Sequence, residues 1–456
     1  MILLKKIYEY SLKKTNDIAI ITSEKEITYK AFFDNICKCA TILKKHNIKK
    51  GDILIFENTQ DEYFCYIFFA INLLNCISLP VDKNTPLNKI ENIRKRVDAK
   101  LIVSIDEIKE KIDDVKKVEQ FEFPDLDDTC LLLLSSGSTG KEKIIEYTNH
   151  TVYHVVKIYK KLYKLTEDNM ILPTGPICRA YSITRLFIAF YYGLSLYIYD
   201  SLNIIDLISI LSNYNNIILS TNPTILHYLL TLFYEEFESC LSNIKIIESC
   251  TAPLSTVDSK KILPILGKTK FYNFYGATEL QMAYLDIAKY GYKKGCVGLP
   301  LEDVKIELLD ENNNVIKDDS NAKGVVRISN SEYGYKYYKE KEQKYFYPGE
   351  IGYLENNLLY LVDREKNFFN INGYKISPVD IEDVALLYDC VLECVCYYNN
   401  VLSLDIIVDK NFKINELKKV LNENLSSYQV PKKIEVVSKL CKTSNGKIDR
   451  NKYKEK

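Results

Sequence analysis

Residues 131–143 read LLLLSSGSTGKEK, an apolar strand that runs directly into Ser135-Ser136-Gly137-Ser138-Thr139-Gly140, with Lys141 and Lys143 following. Gly137 and Gly140 allow backbone conformations that turn successive N–H groups inward on an anion. The hydroxyls add donors and a lysine adds a full charge, a combination suited to polyphosphate. A plain Ser/Gly turn after a strand is the simpler alternative. The chain has only 16 glycines, however, and two of them fall in this hexapeptide. The G-x-x-x-x-G-K-[ST] nucleotide loop is disfavoured by spacing, since Gly140 comes three residues after Gly137 and Glu142 follows Lys141.

Outward from this strand, helix-like segments alternate with short apolar strands. Residues 29–46 read as a helix, and 53–56 and 101–104 as strands; further strands fall at 217–220, 244–248 and 270–273. That alternation predicts a layered α/β domain with a largely parallel sheet. After about Gly295 the texture turns β-rich, in VKIELLD, GVVRISN and IGYLENNLLYLVD, and helices are expected at 379–388 and 415–426. No internal repeat or low-complexity linker is present. The simplest partition is a large domain over 1–362, a joint at 363–366 and a small α+β domain over 367–456, as the length of 456 residues also favours.

Composition narrows the function. Sixty-one basic residues balance sixty-one acidic ones, so global charge argues for neither nucleic acid nor an anionic membrane surface. The uncharged run 63–81, YFCYIFFAINLLNCISLPV, approaches a membrane span in length, but Asn72, Asn75 and Pro80 interrupt it. It reads as a buried helix leading into a buried strand. The opening MILLKKIYEYSLKK is too short in apolar residues for a signal peptide and reads as an amphipathic helix. Thirteen cysteines without an export signal imply reduced thiols and a cytoplasmic protein. The tightest group, Cys390, Cys394 and Cys396, sits in a strand-like context without a second ligand cluster, so no metal site is read from cysteine.

With the motifs that follow in order, the chain resembles the ANL superfamily of adenylate-forming enzymes: acyl-CoA synthetases, nonribosomal peptide synthetase adenylation domains and luciferases. Residues 135–143 are similar to its [ST]-S-G-[ST]-T-G-x-P-K loop, with Glu142 in the proline place. Residues 249–255, SCTAPLS, resemble S-G-G-A-P-L-S; 275–279, YGATE, match Y-G-x-T-E; 298–300, GLP, resemble G-x-P. PGEIG at 348–352 stands where T-G-D-x-G is usual, DREK at 363–366 resembles the hinge motif, GYKISP at 373–378 the glycine loop, and TSNGKIDR at 443–450 the terminal T-x-x-G-K-x-D-R. Thr28-Tyr29 and Pro80-Val81-Asp82 fall where the family has similar pieces, so the resemblance spans essentially the whole chain.

The resemblance implies the ANL fold, ATP and Mg²⁺, a small-molecule carboxylic acid, and transfer of the acyl group to coenzyme A or phosphopantetheine. It implies Lys447 as the mobile lysine that joins carboxylate and α-phosphate, against the alternative of a surface lysine. Glu279 would be the magnesium ligand and Thr278 a donor to the α-phosphate, against that of a helix cap. Nucleotide contacts would come from Ser135, Ser136, Gly137, Ser138, Thr139, Gly140 and Lys143, and from Tyr275, Gly276, Glu350 and Arg364. Lys366 would be the hinge and Gly373 would border the thiol tunnel. Arg179, Ala180, Cys250, Thr251, Phe274, Met282 and Ala283 would line the acyl pocket.

Departures matter as much. Glu350 replaces an aspartate, moving the carboxylate by roughly 1.5 Å; Asp363 replaces a glycine, and Ile144 stands where glycine usually follows the loop lysine. Ala180 stands where amino-acid-activating members have an aspartate, which argues against an α-amino acid and for an aryl or short-to-medium acyl acid. Arg179 either meets a polar group of the substrate or holds an internal acid. GYKISP resembles the coenzyme A ligases, and no carrier domain follows Lys456, so coenzyme A is the expected acceptor. The alternatives are a freestanding enzyme that loads a separate carrier protein, and a catalytically weakened protein that binds nucleotide or acyl-adenylate.

Overall fold

Tyr63 to Val81 shows how the sequence builds this fold. Asp61 caps the helix Glu62–Leu73 by accepting from the Tyr63 amide, and the helix is buried almost all round. Asn75 then takes a left-handed φ of 57°, which asparagine tolerates, and the chain returns as the buried strand Ile77–Val81. Asn72, which interrupts the apolar run, is 1% exposed, and its side-chain amide donates to the carbonyl of Cys130 at 2.9 Å. The expected helix-to-strand reading holds. Among the described residues no helix is long and apolar enough to cross a membrane.

The computed structural model describes residues 2–135, 143–201, 203–317, 322–364, 369–371, 374–442 and 448–454. Among them, a six-stranded sheet carries the quoted strand, Thr129–Ser135, between Ile77–Val81 and Lys143–Thr148. A larger, mixed sheet has a parallel centre formed by Met170–Pro173, Ile217–Thr221, Ile244–Ser249 and Lys270–Gly276. Helices Asn149–Tyr163 and Ala180–Tyr192 pack beside it. The carboxyl ends of those parallel strands place Thr174, Cys250 and Tyr275 at one rim, where ligands collect in open α/β sheets. Beyond Lys270–Gly276 the sheet turns antiparallel through Gln281–Asp286, Cys296–Pro300, Leu358–Arg364, Glu350–Glu355, Gly324–Asn330 and Val304–Leu309. The last four of these are the β-rich pieces expected after Gly295.

Residues past 369 have a core of their own, built on Ile376, Ile381, Leu404, Ile406, Leu417 and Leu421. Its helices run Pro378–Ala385 and Ile414–Asn424, within a few residues of the expected positions. Asp363 and Arg364 end the strand Leu358–Arg364, opposite Ile351 and Glu350. Glu365 and Lys366 lie outside the described residues.

Gly298 is constrained by its neighbours. Its φ is +93°, and a Cβ there would lie 2.0 Å from the carbonyl oxygen of Tyr284. Backbone strain and overpacking act together, so Gly298→Ala is expected to cost at least about 2 kcal/mol. A urea-unfolding midpoint equal to that of the parent would contradict this.

Candidate active site

The strand Thr129–Ser135 and its antiparallel partner Lys143–Thr148 form a hairpin whose register sets Ser135 opposite Lys143. Ser136, Gly137, Ser138, Thr139 and Gly140 lie in the connection, outside the described residues. Ser135 Oγ is buried and has no hydrogen-bond partner among the described residues. Such an orphaned hydroxyl, at the edge of the expected phosphate loop, is free to meet an anionic ligand. Lys143 Nζ donates to the Tyr337 hydroxyl at 3.0 Å, and that hydroxyl donates to Glu279 Oε1 at 3.0 Å. Burial first, and Glu279 beside it, push the Tyr337 phenol above its ordinary range, so it stays a neutral donor. A cavity of about 270 Å³ opens beside this relay, lined also by the cationic Arg96 and Lys339.

Thr278 and Glu279 sit in the tight turn between Lys270–Gly276 and Gln281–Asp286. The helix-cap alternative is thereby overturned. The Thr278 carbonyl accepts from the buried Tyr147 hydroxyl, fixing the turn against the hairpin strand. Tyr275 donates its hydroxyl to Glu350, which is 8% exposed and pairs in register with Arg364. Glutamate at 350 thus reaches the neighbouring tyrosine. Gly276, at the end of its strand, is exposed.

Among the expected acyl-pocket residues, Arg179 precedes the helix Ala180–Tyr192 and forms an ion pair with Asp82. Of the two readings of Arg179, the internal acid is the one found. Burial lowers its pKa from the usual guanidinium value. Ala180 opens the helix, half-buried. Thr251 adopts a φ of +79°, a left-handed value costly for a β-branched residue, at a position where the family motif has glycine. Phe274, Met282 and Ala283 are buried, and Cys250 is partly exposed.

Sequence reasoning passed over four residues at this rim. Tyr147 and Tyr337 belong to no motif and give no local signal. Arg185 and Glu248 do give one, a lone charge in SITRLFIAF and another ending IKIIES, and a buried charge demands a partner. They pair with each other at 1% and 0% side-chain exposure.

Lys366, Gly373 and Lys447 lie outside the described residues, as does the Arg364 side chain. The ends of the segment that carries Lys447 are nonetheless pinned. Lys442 bridges to Ile448, the Asp449 amide donates to the Cys441 carbonyl at 2.8 Å, and Arg450 makes two bonds to Glu382, at 2.9 and 2.7 Å. Burial raises the Glu382 pKa, and Arg450 pulls it part of the way back.

The fold is that of adenylate-forming ligases. It superposes on o-succinylbenzoate CoA synthetase from Bacillus subtilis, bound to its acyl-adenylate intermediate, with a TM-score of 0.85 at 20% identity, covering 98% of this chain and 97% of that one. The anthranilate CoA ligase bound to anthranoyl-AMP superposes with a TM-score of 0.86 at 18% identity over 99% and 96%. In sequence the chain is 25% identical to the 2-succinylbenzoate–CoA ligase of Listeria monocytogenes, covering 96% of each. It is 24% identical to a D-alanine–D-alanyl carrier protein ligase of Bacillus cereus, covering 99% of each. The profile of the AMP-binding enzyme family matches residues 9–338. The chain belongs to that family.

Arg450→Met should strand Glu382 as a buried acid whose folded pKa rises further. A raised folded pKa means that stability is complete below the unfolded carboxylate value and is lost as pH rises through the folded one. The variant is therefore expected to unfold more readily at pH 8 than at pH 5, relative to the parent. Equal pH dependence in the two, measured by thermal unfolding, would show that Arg450 does not sustain Glu382.

Proposed function

We propose that the chain activates a carboxylic acid with MgATP to give acyl-AMP and pyrophosphate, then passes the acyl group to a thiol. It is an AMP-forming acid–thiol ligase. The observation that carries this reading is the relay Lys143–Tyr337–Glu279, which ties the phosphate hairpin to the Y-G-x-T-E turn. Joining two anions requires positive potential and alignment. Lys143 and the N–H groups of 136–140 would hold the polyphosphate, Tyr275 and Gly276 the nucleotide, and Glu350 and Arg364 the ribose side. Glu279 would hold Mg²⁺, which neutralises phosphate charge when bound. Lys447 would bring carboxylate and α-phosphate together.

The proposed organisation is a large domain at 1–362, a hinge at 363–366 and a mobile domain at 367–456, with Lys366 taking up the rotation that brings Gly373 to the thiol. Coenzyme A is the proposed acceptor, supported by GYKISP and by the coenzyme A ligases among the relatives. The D-alanyl carrier protein ligase likeness favours a separate carrier protein as the second reading. Activation of an amino acid is disfavoured because Ala180 offers no carboxylate to an ammonium, and Glu248 is engaged by Arg185, Tyr181 and Ser220. Thirteen cysteines with no disulfide among the described residues support a reducing, cytoplasmic setting.

Pyrophosphate release from MgATP should depend on one class of carboxylic acid, read over a panel of aryl, fatty, dicarboxylic and amino acids with hydroxylamine as acceptor. ATP binding with silence across the panel would instead favour the weakened binding protein. Lys447→Ala is expected to lower acyl-adenylate formation at least about 100-fold with folding intact; undiminished formation would reject its role. Tyr337→Phe breaks the relay and should raise the KM for MgATP by about 3- to 10-fold. Unchanged nucleotide and magnesium dependence would remove Tyr337 from the site.

A further inference from the structure

The walls expected around the acyl group stand on a layer of buried charge. Ser249 and Asn273 pair in register, so Cys250 and Phe274 are neighbours at the ends of adjacent parallel strands. Two residues earlier on the same faces come Glu248 and Tyr272, also in register. On the facing helix, Tyr181 and Arg185 are four residues apart and share a face. Arg185 Nε donates to Glu248 Oε2 at 2.8 Å, and its Nη2 makes a second bond to the same oxygen. Glu248 also accepts from Tyr181 at 3.1 Å and from Ser220 at 2.9 Å. The guanidinium lies 3.9 Å from the Tyr181 ring centre, 4.9 Å from that of Tyr159 and 5.3 Å from that of Phe274.

Ser182 and the helix beyond it are buried, whereas Ala180 and Tyr181 are half-buried. Tyr181 therefore lies between the open side and the ion pair. An apolar pair of similar volume would often hold such a core as well or better, so stability alone does not account for charges here. Their geometry does something an apolar floor would not. A flexible leucine or methionine floor yields to an intruding chain, but a doubly hydrogen-bonded buried ion pair yields only by stranding two charges.

We propose that Arg185 and Glu248, capped by Tyr181, form the rigid floor of the acyl site and restrict the activated acid to a compact one, short-chain or single-ring, excluding long alkyl chains. This rests on the acid-adenylating reading above and assigns the pair a specificity-determining role. Neither residue needs to touch the substrate, since the floor acts by refusing displacement.

The test is the affinity of acyl sulfamoyladenosines, which mimic acyl-adenylates and need no turnover, measured by calorimetry with straight acyl chains from acetyl to dodecanoyl. For the parent protein, affinity should fall at least about tenfold from hexanoyl to dodecanoyl, against a gain of about 4-fold for each methylene that could be buried. The double variant Arg185→Ala with Glu248→Ala removes both charges and opens depth. It should raise the dodecanoyl-to-hexanoyl affinity ratio at least about tenfold. Should it fail to fold, Arg185→Leu with Glu248→Leu keeps an apolar core of shorter side chains and is expected to move the ratio in the same direction. Binding of the series with no fall at dodecanoyl, or an unchanged ratio in a folded double variant, overturns the floor and leaves adenylation standing. Failure of every analogue to bind, at any length, overturns the adenylation reading and the floor with it.

Discussion

Two tyrosine hydroxyls join the sheets on which the site is divided. The phosphate hairpin belongs to the six-stranded sheet, and the Thr278–Glu279 turn to the larger one. Tyr147 reaches from the hairpin to the Thr278 carbonyl, and Tyr337 stands between Lys143 and Glu279. Both phenols are buried enough to remain neutral, so each serves as a donor without bringing a charge into the cleft. The proposed phosphate loop and the Glu279 carboxylate, on separate sheets, can act as one site only if their spacing is held. Short cross-sheet bonds hold it better than two long charged side chains would, because little rotamer freedom is left to lose.

The departures from the family pattern become intelligible against this frame. Glu350 is longer than the aspartate it replaces, and Tyr275 supplies the hydroxyl that fixes the added reach. Thr251 replaces a glycine but keeps the left-handed backbone, so the turn retains its course at the cost of local strain. Arg179 answers to Asp82 across the cleft mouth. Each of these three substitutions is matched by a local partner or conformation.

Much of this was legible from residue pattern. The alternation of apolar runs placed the strands it named to within one or two residues, and Lys270–Gly276 to within three, but it passed over the fully buried Met170–Pro173 of the parallel centre. The helix-to-strand passage from Tyr63 to Val81 was legible because asparagines can end an apolar helix and satisfy buried carbonyls. Tyr147 and Tyr337 were not legible: their roles come from pairing between sheets, far apart in sequence, and tyrosine is abundant here, at 36 residues. The Thr-Glu turn was ambiguous because the same dipeptide caps helices. Only the antiparallel register around it removes that option.

The small C-terminal unit bears on how a single chain could serve two successive reactions. Its apolar core draws on residues from 369 to 434 and shares none with the two large clusters of the rest of the chain. Among the described residues, polar contacts cross between them: Lys294 with Asp380 and Asp383, Lys261 with Asp389, and Tyr228 with Glu393. Of these, the solvent-exposed Lys294–Asp380 pair is worth about 0–1 kcal/mol and can be exchanged for water or for other partners. A buried apolar seam would instead have fixed one orientation. Arg450, just past Lys447 in sequence, is anchored within its own unit on Glu382, so the chain there would travel as a piece of that unit. Strong bonds inside the unit and exchangeable polar contacts at its boundary would suit the proposed rigid-body rotation.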